Sequence, residues 1–266
     1  MENSTTSKRR VKIIIGYIIL FCAIAFAIYF IKTPAATCSD KKQNQGEKGI
    51  DCGGPCAPCK EIMKIKDVNI LETAFALGGN NTYDVVAKIS NPNDTTGAKT
   101  FDYVFILKDS TGSTIAKREG VNFILPADTK YVAELGLTTD NNAVPASANI
   151  EISVAEWEKL SDVGKPQIGV YSKKFGPIAN SDGNEAEGTI RNESSYDLSK
   201  VDIVIVLRDE KGHIIGVNTT QRNSVRARED QLFKVTWPYS LGGNVQKMEV
   251  DPQVNVFNWQ SLPVSN

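Results

Sequence analysis

Shifted by about 100 residues, the sequence falls back on itself, and a long internal period of this kind signals a duplicated structural unit. Residues 67–75 (DVNILETAF) fall on 167–175 (QIGVYSKKF), and 85–91 (VVAKISN) on 186–192 (AEGTIRN). Residues 101–112 (FDYVFILKDSTG) fall on 201–212 (VDIVIVLRDEKG), and 152–160 (ISVAEWEKL) on 254–262 (VNVFNWQSL). The offset drifts between 100 and 102, the signature of small loop insertions. Whatever one copy folds into, the other must fold into as well.

Each copy reads as β-strands. Phe101, Tyr103, Phe105 and Leu107 alternate with Asp102, Val104, Ile106 and Lys108, and Val201, Ile203, Ile205 and Leu207 repeat the first set. A period of two places that set on one face, toward a core. The opposite set is partly apolar, which suits a central strand. Asp109-Ser110-Thr111-Gly112 and Asp209-Glu210-Lys211-Gly212 are turn chemistry, with Asp accepting local backbone bonds and Gly tolerating positive φ. About seven short strands per copy, joined by such turns, predict two tandem immunoglobulin-like β-sandwiches. Neither copy contains a cysteine, so each core rests on apolar packing, with Trp157 and Trp259 expected as anchors.

Upstream lies a different kind of segment. Ile13–Ile31 is nineteen residues without a charge. At about 1.5 Å per residue it matches the hydrocarbon thickness of a bilayer and exceeds the apolar core of a cleaved signal peptide. A single transmembrane signal anchor is expected. Lys8, Arg9, Arg10 and Lys12 crowd its N-terminal edge, which favours a cytoplasmic N-terminus and delivers residues 32–266 to the other side. Ala23 and Ala27 form a small-xxx-small pair through which two anchors could associate. The expected order is a basic tail (1–12), a membrane helix (13–31), a Cys-rich module (32–60) and sandwiches at 61–160 and 161–266.

Cys38, Cys52, Cys56 and Cys59 are four of the chain's five cysteines. Outside the cytoplasm an even, closely spaced set is most simply two disulfides, with three pairings open. A tetrahedral zinc site on the same sulfurs is the alternative, although only Cys56-Ala-Pro-Cys59 has knuckle spacing. A redox role for that pair lacks a surrounding βαβ pattern. Asp40, Asn44, Glu47 and Asp51 add hard oxygen ligands in one loop, which marks a candidate calcium site without EF-hand spacing. No other cofactor is expected.

Phe105-Ile106-Leu107-Lys108-Asp109 resembles the Phe-x-Leu-Tyr-Asp signature of the FxLYD domain family, and Ile205-Val206-Leu207-Arg208-Asp209 stands at the same place in the second copy. Both depart from the signature at Tyr, and the second also at Phe. The glycine after the Asp and the Asn-ending strand before it are similar too. The resemblance implies a prokaryotic surface β-sandwich with no established activity. The DCGGPCAPC end of the cysteine segment resembles Cys-rich modules of bacterial and archaeal surface proteins. Neither resemblance supplies a catalytic residue.

The chemistry that remains argues against an enzyme. The one histidine, His213, follows a predicted turn, and no P-loop, dinucleotide fingerprint, nucleophile elbow or HExxH motif occurs. Without its first twelve residues the chain has 26 basic and 30 acidic residues, and no basic stripe that nucleic acid would need. The expectation is a non-catalytic stalk, adhesion or display protein of the cell envelope, with an unknown protein or glycan partner. An accessory subunit of an export, pilus or envelope-assembly complex is the alternative.

Overall fold

The computed structural model describes residues 3–32, 38–59, 65–160 and 165–258. Two compact units divide the chain, Met1–Lys64 and Ile65–Asn266. In the first, helix α1 (Asn3–Lys32) is continuous, and its stretch Arg10–Tyr29 is long and apolar enough to cross a bilayer. Pro34 follows two residues later, where a helix would stop. The cysteine module (38–59) is a loop of turns with a single bridge, Gly49 to Cys52.

The second unit is all β. Its first half holds β1 (Asn69–Gly79), β2 (Thr82–Ser90), β3 (Thr96–Lys108), β4 (Thr114–Ile124), β5 (Thr129–Thr138) and β6 (Ser147–Lys159). Its second half holds β7 (Ile168–Pro177), β8 (Asn184–Asn192), β9 (Leu198–Arg208), β10 (Ile214–Val225), β11 (Asp230–Trp237) and β12 (Lys247–Gln253). The first six strands form antiparallel sheets β1-β2-β5 and β4-β3-β6; the last six form β7-β8-β11 and β10-β9-β12. The two halves therefore share one topology, an immunoglobulin-like sandwich of three strands on three. Each has six strands among the described residues where the sequence suggested seven.

The strand register sets how the two halves correspond. Val104 pairs with Glu151 and Val204 with Asp251, so the last strands correspond at an offset of 100. The sequence match of 152–160 to 254–262 is thereby corrected: β12 ends at Gln253, and 254–258 continue without strand structure.

The alternating set of β3 lies inside as expected, with Phe101, Phe105 and Leu107 fully buried, and Val201, Ile203, Ile205 and Leu207 do the same in β9. The turn aspartates act as the sequence implies. Asp109 Oδ1 accepts from the N–H groups of Thr111 (2.9 Å) and Ser113 (3.0 Å), and Asp209 Oδ1 from Lys211 (2.9 Å) and His213 (2.8 Å). Gly112 (φ 85°) and Gly212 (φ 84°) take the left-handed conformation that closes each turn.

A second pair of equivalent residues pins each sandwich from within. Asn91, buried at the end of β2, donates to the carbonyls of Thr96 (2.8 Å) and Leu125 (2.9 Å). Asn192, fully buried at the end of β8, donates to the carbonyls of Tyr196, Val225 and Arg226 (2.8, 3.2 and 3.1 Å). Each ties its strand end to backbone carbonyls of neighbouring segments.

The tryptophans are placed unequally. Trp157 is half-buried against the first core, and Trp259 lies outside the described residues. The buried anchor is Trp237, fully enclosed, edge-on to Phe175 and donating from Nε1 to the carbonyl of Val217 at 3.0 Å. It is in phase with Phe233 and Val235 along β11.

The sandwiches pack side by side, which replaces the expected end-to-end stalk. The outer face of β1-β2-β5 lies on the outer face of β10-β9-β12 through Val86, Tyr131, Val204, Val206, Ile214 and Val217, with Ala74, Ala133 and Leu135 at the margin. Strands β2 and β9 are consequently buried on both faces. Each fully buried valine-sized side chain contributes roughly 1.5 kcal/mol or more, so this cluster alone stabilises the pairing by several kcal/mol.

Candidate functional site

In the cysteine module the structure pairs Cys38 with Cys56 (Cα–Cα 5.6 Å) and Cys52 with Cys59 (Cα–Cα 4.7 Å). The two bridges interlace, since Cys52 lies inside the loop closed by the first. Cys56 and Cys59 are thus not each other's partners, as a redox Cys-x-x-Cys pair would be, and all four sulfurs are used without zinc. Such cross-links substitute for a core that a segment this short cannot build.

The three carboxylates of the same loop accept from its backbone, while the buried Asn44 Oδ1 has no hydrogen-bond partner. Glu47 is buried and accepts from the N–H groups of Asn44 (3.2 Å) and Asp51 (3.3 Å). Asp51 accepts from Lys41 N–H through both oxygens, at 3.1 and 3.0 Å. Asp40 accepts from Lys42 N–H (2.9 Å) and from the Asn44 side-chain amide (2.8 Å). The ligand atoms that do come together are those of Cys38, Glu47 and Cys56, and two of these are joined in a disulfide.

The richest chemistry in the molecule lies where the sandwiches meet. Arg208, at the end of β9, uses all its nitrogens there. Its guanidinium grips Glu72 of β1 through Nη1 (2.9 Å) and Nη2 (2.6 Å) and donates from Nε to Glu249 of β12 (2.8 Å). It also donates to the Tyr131 hydroxyl (3.0 Å), which itself donates to Glu249 (2.9 Å). The Arg208 bond holds the Glu72 carboxyl below its ordinary range. Burial alone would raise Glu249, but the bonds from Lys247, Tyr131 and Arg208 outweigh it and hold that carboxyl at about 2. Ion pairs of this kind return little net stability after desolvation. The apolar cluster therefore holds the sandwiches together and the ionic network sets their register.

Below this network the contacts become tighter. Asp251, largely buried, accepts from Tyr131 N–H (2.8 Å) and from Gln253 Nε2 (2.6 Å), and Gln253 also donates to the Tyr131 carbonyl (2.7 Å). Lys130 is almost wholly buried, with Nζ donating to Asn122 Oδ1 (2.8 Å) and the Phe123 carbonyl (3.0 Å) and lying 3.6 Å from the Phe123 ring centre. Burial pushes its amine down to about 7, against the pull of Asp251, Asp128 and Asp202.

Beyond the apolar cluster the same faces turn polar and enclose a cleft of about 640 Å³. Strand β10 carries Val217 into the cluster and then, in phase, Thr219 and Gln221 into the cleft; β9 carries Val204 and then Asp202 and Lys200. Lys99, Thr100, Asn122, Thr220, Gln253, Asn255 and Asn258 complete the polar lining. None of these stood out in the sequence. The usable signal was alternation: polar residues continue the period of apolar ones that a central strand did not fully explain.

No known family's sequence profile matches the chain, and no curated protein matches it. Among solved structures it is similar to the calcium binding domain CBD12 of CALX1.1, at 12% identity, over 69% of this chain and 81% of that one, with a TM-score of 0.20.

Proposed function

We propose that the chain is a non-catalytic binding protein of the cell envelope, anchored by α1 with its first dozen residues in the cytoplasm and everything after the helix outside. The observation that carries this reading is the order of parts: an apolar helix with basic residues at its N-terminal edge, followed at once by two paired disulfides. Disulfides persist outside the cytoplasm, and the charge rule puts the basic edge inside. The FxLYD-like kinship belongs to the same proposal. It is supported by the matched roles of Asp109 with Asp209 and of Asn91 with Asn192.

The paired sandwiches suit a rigid display block better than a spacer. A block of this kind offers loop tips and a cleft to a partner while the anchor keeps it at the membrane. The test is added trypsin on intact cells carrying a C-terminal epitope tag. Cleavage of residues beyond the helix without lysis is expected; protection until lysis would overturn the reading.

A further inference from the structure

We propose that the cleft between the sandwiches binds an uncharged oligosaccharide; this rests on the extracytoplasmic reading above and names the ligand class for it. Three observations carry the inference.

The first is size. At about 640 Å³ the cleft falls within the roughly 300–1,000 Å³ of small-ligand sites. Tyr131, Ala133 and Val204 of its lining belong to the joint between the sandwiches.

The second is charge. Every charged residue in the lining is already paired within the chain. Lys200 lies 2.8 Å from Asp202, and Lys99 lies 3.6 Å from Glu156 and 4.0 Å from Glu158. The cleft therefore offers no unpaired cation to a phosphate or sulfate and no unpaired anion to a basic peptide.

The third is hydrogen-bonding capacity. Among the described residues, the side chains of Thr100, Thr219, Gln221 and Asn258 make no hydrogen bond within the chain, and the Asn255 amide uses only its oxygen, toward Phe257 N–H (3.1 Å). Hydroxyls and amides each donate and accept. A ligand dense in groups that also do both, with no charge, is a neutral sugar chain. Val121, 64% exposed at the rim, supplies an apolar surface for the C–H face of a ring.

The test uses the full chain purified in a sugar-free detergent, because glycosidic detergents would compete. It is applied to a printed panel of neutral, sialylated and sulfated oligosaccharides. Binding to neutral members is expected, with an affinity that changes little between ~50 and ~500 mM salt, since no charge pair is screened. Gln221→Ala and Asn258→Ala should each weaken it roughly three- to tenfold. Thr219→Trp, at an exposed strand position, should push an indole into the cleft and abolish binding while the thermal transition is kept. Lys234→Ala, on a different sheet, should leave binding unchanged. Binding confined to charged glycans, neutral binding that survives Thr219→Trp, or no binding across the panel would each overturn the proposal. None of these results touches the trypsin assay, so the ligand class and the envelope reading fail separately.

Discussion

Two faces of this molecule occupy equivalent places in the two sandwiches and have opposite fates. The outer face of β1-β2-β5 presents Ala74, Val86, Tyr131 and Ala133, and it is covered by the second sandwich. By strand register the matching positions on β7-β8-β11 are Lys174, Glu187, Leu232 and Lys234. There Lys174 pairs with Glu187 (3.4 Å), Lys234 pairs with Glu185 (2.6 Å), and Leu232 stands 75% exposed. A unit that docks head to tail on one of like fold carries an inherent risk of continuing into a fibre. Here three small or apolar residues on the covered face have charged counterparts on the free one, which makes that face a poor surface for a second docking. The same fold thus gives a buried joint or a solvated surface through a few side chains.

The sharpest way to break that contrast is to give the covered face the free face's residue. Val86→Glu installs the equivalent of Glu187 at a site 1% exposed. Burying an unpaired carboxylate there should cost about 3 kcal/mol or more. Calorimetry should show the single transition fall and split as the sandwiches uncouple. A variant that melts as one unit with unchanged midpoint would mean that the joint does not hold the two halves together.

The next contrast sets Arg208 against Lys108, its counterpart on the uncovered sheet of the first sandwich. Arg208→Ala takes the guanidinium from Glu72 and leaves Glu249 with Lys247, Lys88 and Tyr131 only, at a joint where the arginine is 12% exposed, and should cost about 3 kcal/mol in denaturant unfolding. Lys108→Ala should fall within about 0.5 kcal/mol of the parent. A smaller and more even pair is expected from the asparagine pins. Asn91→Ala and Asn192→Ala each remove at least two hydrogen bonds to backbone carbonyls and should each cost about 2 kcal/mol. Unequal losses would show that the two sandwiches do not share this device.

These contrasts also mark what the sequence could and could not reveal. Phe101 to Leu107 and Val201 to Leu207 were legible because a strand writes its inward face at every second position. The joint was not, for two physical reasons. Val204 and Val206 already had an adequate explanation as part of a central strand, and their partners Ala74 and Ala133 are too small and scattered to look like a patch. Arg208 and Glu72 stand 136 positions apart, and an ion pair leaves no mark on local periodicity. The cysteine pairing was open for a related reason: spacing limits which sulfurs can meet but does not choose among them. The cleft residues carried no signal, because an amide lining a site reads the same as one facing water.

A finer probe of the joint is pH. Lys130 titrates at about 7 in the folded chain and near 10.5 when exposed. Between those values the unfolded chain holds a proton that the folded chain lacks, so stability should rise with pH, by up to about 1 kcal/mol per unit. Below pH 7 the amine is protonated in both states and its contribution to the slope vanishes. Lys130→Met should flatten the rise between pH 7 and 9 in thermal melts. A slope that persists in the variant would place the proton elsewhere.

The smallest expected effect is none at all, and it separates the cysteine module from the sandwiches. Residues 65–266 contain no cysteine, and all four paired sulfurs lie between 38 and 59. Reduction should therefore leave the sandwich transition in place while it opens the module, since removing a bridge that closes a loop of about 18 residues releases roughly 3 kcal/mol of constraint. Peptide mapping without reductant should find Cys38 with Cys56 and Cys52 with Cys59. Limited proteolysis after reduction should then cut first within 38–59. If the sandwich midpoint dropped instead, the module would be bearing on the β unit's stability, and the two could no longer be treated as energetically independent parts.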